Sequence, residues 1–177
     1  GLALHLPPLT VEDLADLADG PDFGVTAVMQ PFVHSREDLD AVRQAMRQAG
    51  LENALLYAKV EDAAGLDALP GWIGGCDVVT AARGDLGANL GLEHVPAAQK
   101  RIAAECRRAG KPLLVVTELL GSMAERPVPT RAEASDICNA VWDGAAHLML
   151  TNETAAGRYP LEAAAWLVKC AEAAGNA

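Results

Sequence analysis

Five short apolar runs, each followed by a segment with helical punctuation, most constrain what this chain can fold into. The runs cover residues 26–32, 54–60, 76–82, 112–117 and 147–151. They carry little strict polar/apolar alternation, as expected of strands covered on both faces. Ser35 precedes a helical stretch at 36–49, with Glu37 and Asp38 in its first turn and Gly50 after its end. A second helix, 96–109, stops at Gly110. Thr130-Arg131-Ala132-Glu133 is a capping box opening a helix that runs to Gly144, and 160–174 closes before Gly175. Thr10 with Asp13 opens a leading helix over 10–17. The order is β, α, β, short α, β, α, β, α, β, α, which predicts a parallel sheet with right-handed crossovers.

A closed barrel of this kind needs eight βα units and about 250 residues. Five units in 177 residues therefore predict an α/β chain: a partial (β/α)8 barrel forming one domain over 1–177. Such a sheet has unpaired edges and an uncovered apolar interior. Completion by a second copy or by a complementing subunit is the expected remedy.

Composition narrows the partners. Net charge is −10, a surface that repels phosphate backbones, so nucleic acid is not expected. An anionic substrate then needs a local cation. No run of 18 apolar residues predicts a membrane span, and residues 1–8 lack the basic start of a signal peptide. Cys76, Cys106, Cys138 and Cys170 lie far apart with no Cys-x-x-Cys pair. Buried, reduced thiols in a cytoplasmic protein are expected. Trp72, Trp142 and Trp166 are candidates for packing at helix contacts.

The polar residues that carry chemistry stand where the apolar runs stop, the catalytic end of a βα barrel. Lys59 and Glu61 are two apart on one strand and so share a face. Asp85 lies in Gly84-Asp85-Leu86-Gly87, whose glycines permit a sharp turn and close presentation of amide groups. Two carboxylates from neighbouring strand ends suit Mg²⁺ or Mn²⁺. Lys59 could then stabilise negative charge beside the cation, and Thr117 could bind a carboxylate or relay a proton. Each element also has a plainer reading, a solvated Lys–Glu pair or a simple turn.

Longer motifs point further. Ala82-Arg83-Gly84-Asp85-Leu86-Gly87 followed by Leu92-Glu93-His94-Val95-Pro96, then Ala109-Gly110-Lys111-Pro112, Pro129-Thr130-Arg131-Ala132-Glu133, Asn139-Ala140-Val141-Trp142-Asp143-Gly144 and Met149-Leu150-Thr151-Asn152-Glu153-Thr154 occur in order along the chain. This set resembles the pyruvate kinase family. The resemblance implies the second part of that family's TIM barrel, roughly strands four to eight. It implies that Glu61 and Asp85 are the divalent-metal ligands and that Lys59 stabilises the transferring phosphoryl group and the enolate. It also implies that the backbone of Arg83, Gly84 and Asp85 holds the substrate carboxylate, with Thr117 helping.

The family's first strands, its lid domain and its regulatory C-terminal domain are not expected within these residues, and with them go the phosphate, potassium and nucleotide contacts. Five positions depart from the family pattern: Pro31 for serine, His34 for arginine, Asp62 for asparagine, Glu118 for glutamine and Asn152 for glycine. Glu118 is an acid or base if it points inward, and otherwise faces the helical layer. The resulting expectation is a divalent-metal enzyme acting on pyruvate, phosphoenolpyruvate or a related 2-oxo acid through a metal-stabilised enolate, of lyase, aldolase or decarboxylase type. Lys59, Thr117 and Glu118 would be its catalytic residues. The alternatives are a pyruvate kinase fragment or split-kinase component moving phosphoryl between phosphoenolpyruvate and ADP, and a non-catalytic assembly protein.

Overall fold

A computed structural model describes residues 7–175 of the chain. Most of the segment expected not to be a signal peptide, residues 1–8, lies outside the described residues.

Helices start where the capping residues predict. Helix α1 (Val11–Asp19) opens on Thr10, whose hydroxyl accepts from Asp13 N at 3.1 Å while the Asp13 carboxylate accepts from Thr10 N at 2.7 Å. The same reciprocal box opens α2 (Arg36–Gln48) at Ser35 and Asp38, and α6 (Arg131–Trp142) at Thr130 and Glu133. Helix α5 (Val95–Ala109) carries Pro96 in its first turn and stops at Gly110, whose φ of 65° is the left-handed geometry of a helix terminus.

The strands are β1 (Ala27–Gln30), β2 (Leu55–Val60), β3 (Val78–Ala82), β4 (Leu113–Val116) and β5 (Ala145–Met149). All neighbours are parallel, in the order β1-β2-β3-β4-β5. Chain order equals spatial order, so the winding never reverses. A doubly wound sheet reverses at a switch point; a barrel does not. The fold is therefore five βα units of a TIM barrel, as expected.

Its two faces differ. Leu56, Ala58, Val60, Val79, Ala81 and Val115 point to the helices and join the main core with Leu39, Trp72 and Ile102. The alternate residues point to the concave face. At its centre Val78, Thr80, Leu114 and Val116 are buried, whereas Leu55 and Met29 near the edge are exposed. The sheet curls enough that Ala27 and Met29 of one edge strand and His147 and Met149 of the other line one hollow of about 370 Å³.

Three local expectations are corrected. Strand β5 was expected at 147–151 and stands at Ala145–Met149. A bulge between Leu113 and Leu114 takes up Ala146, and the Glu153 carboxylate draws the Thr151 amide into the following loop at 2.8 Å. Gly84-Asp85-Leu86-Gly87 was expected as a turn and is instead the start of a helix, α4 (Arg83–Leu90). A one-turn helix α7 (Asn152–Ala155) also precedes the last one, α8 (Pro160–Gly175). The expected short helix is α3 (Ala63–Trp72).

All four cysteines are free; Cys76, Cys106 and Cys170 are buried but Cys138 is only half-buried. Burial pushes the Cys76 thiol up to about 11 and Cys106 to about 12. Trp72 is fully enclosed and donates to Gly65 O, whereas Trp142 is mostly exposed with its indole N–H on Ala174 O. Among the described residues no helix is long and apolar enough to cross a membrane.

Candidate functional site

The C-terminal ends of β1 to β4 form one rim. At the end of β2, period-two alternation turns Lys59 and Glu61 onto the concave face, because Ala58 and Val60 are in the helix-side core. Lys59 Nζ lies 2.6 Å from Glu61 Oε1, and Glu61 is almost wholly buried. Its other oxygen, Oε2, accepts the Phe32 amide at 2.7 Å. Oε1 has the ion-pair contact but no hydrogen bond, and it is one of two buried side-chain oxygens in that condition among the described residues; the other is Thr80 Oγ1.

Asp85 sits in the first turn of α4, exposed, with no partner for its carboxylate among the described residues. Asn89, one turn on, donates to both Glu61 O at 3.1 Å and Asp85 O at 2.9 Å. One side chain thus ties the end of β2 to the helix that carries Asp85. No side chain caps α4, so its first amides remain free and its dipole favours an anion there.

The Arg83 side chain turns away from that opening. Its Nε and Nη2 donate to Thr117 O at 3.2 and 2.8 Å, and Nη1 reaches Asp136 at 2.8 Å and Gln99 Oε1 at 3.4 Å. Arg83 therefore leaves only its backbone for a ligand and spends its guanidinium on the loop after β4. That loop is strained: Thr117 and Glu118 have φ of 80° and 54°, and Phe32 after β1 has 47°. L-residues other than glycine rarely occupy this region, and such strain concentrates at functional sites. Gly84 packs directly on Thr117. A Cβ at Gly84 would lie 2.9 Å from Thr117 Cγ2, so the glycine serves close approach rather than a turn.

The structure brings Lys59, Glu61, Asp85, Gly84 and Thr117 into one run along the rim. Glu118 is placed differently. It is exposed and opens on a groove of about 550 Å³ between α5 and α6, with Gln99, Asp136 and Asn139. Arg83 and Thr117 line the same groove. Asp136, Gln99 and Asn89 are positioning residues that spacing along the chain does not reveal, because each acts across 16 to 53 residues or through a carbonyl. His34 and Asp62, two of the departures from the family pattern, contact each other at 2.8 Å, and Asp62 also caps α3 through Gly65 N. Glu153 is buried and accepts from Leu120 N at 3.0 Å and Thr151 N at 2.8 Å. Burial alone would raise its carboxyl, but these bonds outweigh burial and hold it below its ordinary value.

Among the described residues no group of three or more His, Cys, Asp or Glu stands close enough to hold a metal ion. A cation here would take at most two protein carboxylates, with water and substrate oxygens for the rest, which is how Mg²⁺ is commonly held. Glu61 Oε1, which has Lys59 as its contact, and the unengaged Asp85 carboxylate are hard oxygen donors that fit that role.

Comparison with known proteins agrees with the motifs. Residues 1–164 match the family described as pyruvate kinase, barrel domain. The pyruvate kinase of Clostridium acetobutylicum is 38% identical over 175 residues, covering 99% of this chain and 37% of that protein. That of Aeropyrum pernix is 42% identical over 164 residues, covering 93% and 36%. That of Mycobacterium tuberculosis is 43% identical over 163 residues, covering 92% and 34%. The chain thus spans about a third of the length of these relatives. It belongs to the pyruvate kinase family.

Proposed function

We propose that this chain carries the pyruvate- and phosphoenolpyruvate-binding side of a pyruvate kinase-type phosphotransferase, with phosphoryl transfer to ADP conditional on barrel units and a lid outside these 177 residues. The observation that carries the reading is the rim constellation: a buried Glu61 whose Oε1 contacts Lys59, with Asn89 tying the end of β2 to the helix that carries Asp85. The relatives are pyruvate kinases, which favours phosphoryl transfer over the lyase, aldolase or decarboxylase class expected from the sequence.

Glu61 and Asp85 would hold Mg²⁺ or Mn²⁺, whose Lewis acidity draws a 2-oxo carboxylate to the rim. The free amides of Arg83, Gly84 and Asp85 at the start of α4 bind the substrate carboxylate. Thr117, held by the Arg83 clamp on its carbonyl, adds its hydroxyl to the same group. Lys59 places a positive charge beside the C2 oxygen, where negative charge grows as phosphoryl leaves or as C3 loses a proton. The four free thiols fit a cytoplasmic location.

The concave hollow and the two strand edges that are unpaired among the described residues support a further part of the reading: a second copy or a complementing subunit covers this face. A monodisperse monomer by light scattering would count against it.

In D₂O with Mg²⁺ or Mn²⁺, the chain is expected to exchange the C3 protons of pyruvate, and Glu61→Gln and Lys59→Ala to lose that exchange. A rate no higher than the metal-only blank overturns the reading. A coupled assay with phosphoenolpyruvate and ADP is expected to show turnover only when a polypeptide supplying the missing barrel units and lid is added.

A further inference from the structure

Among the described residues two buried side-chain oxygens lack a hydrogen bond, Glu61 Oε1, which has only its ion-pair contact, and Thr80 Oγ1, which has no polar partner; they flank the same residue. Lys59 Nζ contacts Glu61 Oε1 at 2.6 Å. In the parallel register of β2 and β3, Lys59 stands directly opposite Thr80. Both side chains lie on the concave face, because their neighbours Ala58, Val60, Val79 and Ala81 belong to the helix-side core. Thr80 is fully buried, and a buried hydroxyl with no partner is costly enough to require an explanation.

Resting on the metal site proposed above, we propose that Thr80 is a positioning residue for Lys59. It is the acceptor that the ammonium takes up when Glu61 turns its Oε1 to a divalent cation. A cation at Glu61 Oε1 competes with Lys59 for that oxygen. A divalent charge at that oxygen repels the ammonium, which has three donors to satisfy. Without Thr80, Lys59 would go to water and leave the reacting C2 oxygen. With it, the ammonium swings to the neighbouring strand, stays on the rim, and satisfies a hydroxyl that is unpaired in the metal-free state. Thr80 thereby favours the cation-loaded arrangement while slightly disfavouring the empty one.

That opposition of signs is the test. Thr80→Val keeps the side-chain volume and removes the hydroxyl. Mn²⁺ affinity of the 177-residue chain is read from the paramagnetic resonance of free Mn²⁺, and stability by thermal unfolding without metal. Thr80→Val is expected to raise the Mn²⁺ Kd about tenfold while leaving the metal-free protein as stable as wild type or more so. Thr80→Ser is expected to bind Mn²⁺ as wild type does. In a Lys59→Ala background the effect of Thr80→Val on Mn²⁺ is expected to vanish, whereas a merely structural threonine would keep it. Should Thr80→Val not fold, Thr80→Ala is read in the same way. Unchanged Mn²⁺ affinity in Thr80→Val, or a loss that persists without Lys59, overturns the role of Thr80 and leaves the metal site standing. Absence of Mn²⁺ binding by wild type overturns the metal site itself, and this inference with it.

Discussion

The two ends of the sheet are built on opposite terms. At the N-terminal end polar groups are satisfied. Asp77, just before β3, accepts the Leu56 amide at 2.7 Å and the Arg43 guanidinium, and Lys111 donates to Cys76 O at 2.6 Å. Burial would raise the Asp77 carboxyl, but these bonds prevail and hold it below its ordinary value. At the C-terminal end, among the described residues, the buried Thr80 hydroxyl has no partner, α4 has no side-chain cap, and three non-glycine residues have left-handed backbone. The same five strands stitch one end closed and hold the other open. In a βα barrel the first arrangement serves stability and the second serves binding; strain at one end persists because the other holds the frame.

The sharpest way to break this contrast is to remove one carboxylate from each end. Glu61→Gln keeps an acceptor for the Phe32 amide and leaves Lys59 a route to water. It is expected to weaken Mn²⁺ binding roughly a hundredfold, about 2.7 kcal/mol, and, because the carboxylate it removes is buried against Lys59, to cost up to about 3 kcal/mol of unfolding free energy as well. Asp77→Ala is expected to act on stability alone. It strands the Leu56 amide and frees Arg43, at a cost of about 2 kcal/mol in urea unfolding, reduced from a fully buried pair because both side chains are partly exposed. Its Mn²⁺ affinity should match wild type. A Glu61→Gln variant that keeps its Mn²⁺ affinity, or an Asp77→Ala variant that loses it, would erase the division of labour.

Much of this architecture is legible in the chain because it rests on local chemistry. Thr10/Asp13, Ser35/Asp38 and Thr130/Glu133 announce their helices through side chains three residues apart. Lys59 and Glu61 share a face through strand alternation alone. What spacing misses is long-range. Arg83 carries a charge beside the candidate site, yet its direction is set by Thr117 O and Asp136, 34 and 53 residues away. Gly84 reads as a turn glycine until Thr117 is seen against it. Strand β5 starts two residues early and carries a bulge at Ala146, fixed by its pairing with Leu113 and Leu114 more than 30 residues away, which no pattern within β5 records.

Acid should loosen the C-terminal end through Glu153. Its carboxyl lies below the ordinary glutamate value of 4.5 in the folded chain, so the unfolded chain takes up the proton first as pH falls. The stabilisation is fully present above that value and is lost as pH drops through the lower, folded one. Urea midpoints followed down this range are expected to fall more steeply for wild type than for Glu153→Gln, whose amide does not titrate. Glu153→Gln starts from a lower midpoint at neutral pH, because its amide can accept through one oxygen only. Parallel curves would mean that other carboxylates govern the acid limb.

The smallest expected effect bears on Glu118, in the loop after β4. Glu118 has φ of 54° and an exposed side chain on the α5–α6 groove. Glycine at that position releases the left-handed strain, worth about 1–2 kcal/mol, and gives back part of it as added freedom of the unfolded chain. Glu118→Gly is therefore expected to stabilise the chain by about 0.5–1 kcal/mol. If Glu118 belongs to the helical layer, as its place beside Gln99 and Asp136 argues, pyruvate C3 exchange in the variant stays within about twofold of wild type. If it is instead an acid or base of the rim, its loss removes about a hundredfold or more of that rate. A gain in stability with exchange intact assigns the residue to the frame, and a gain with exchange abolished would show that the open end keeps its strained backbone to aim a carboxylate.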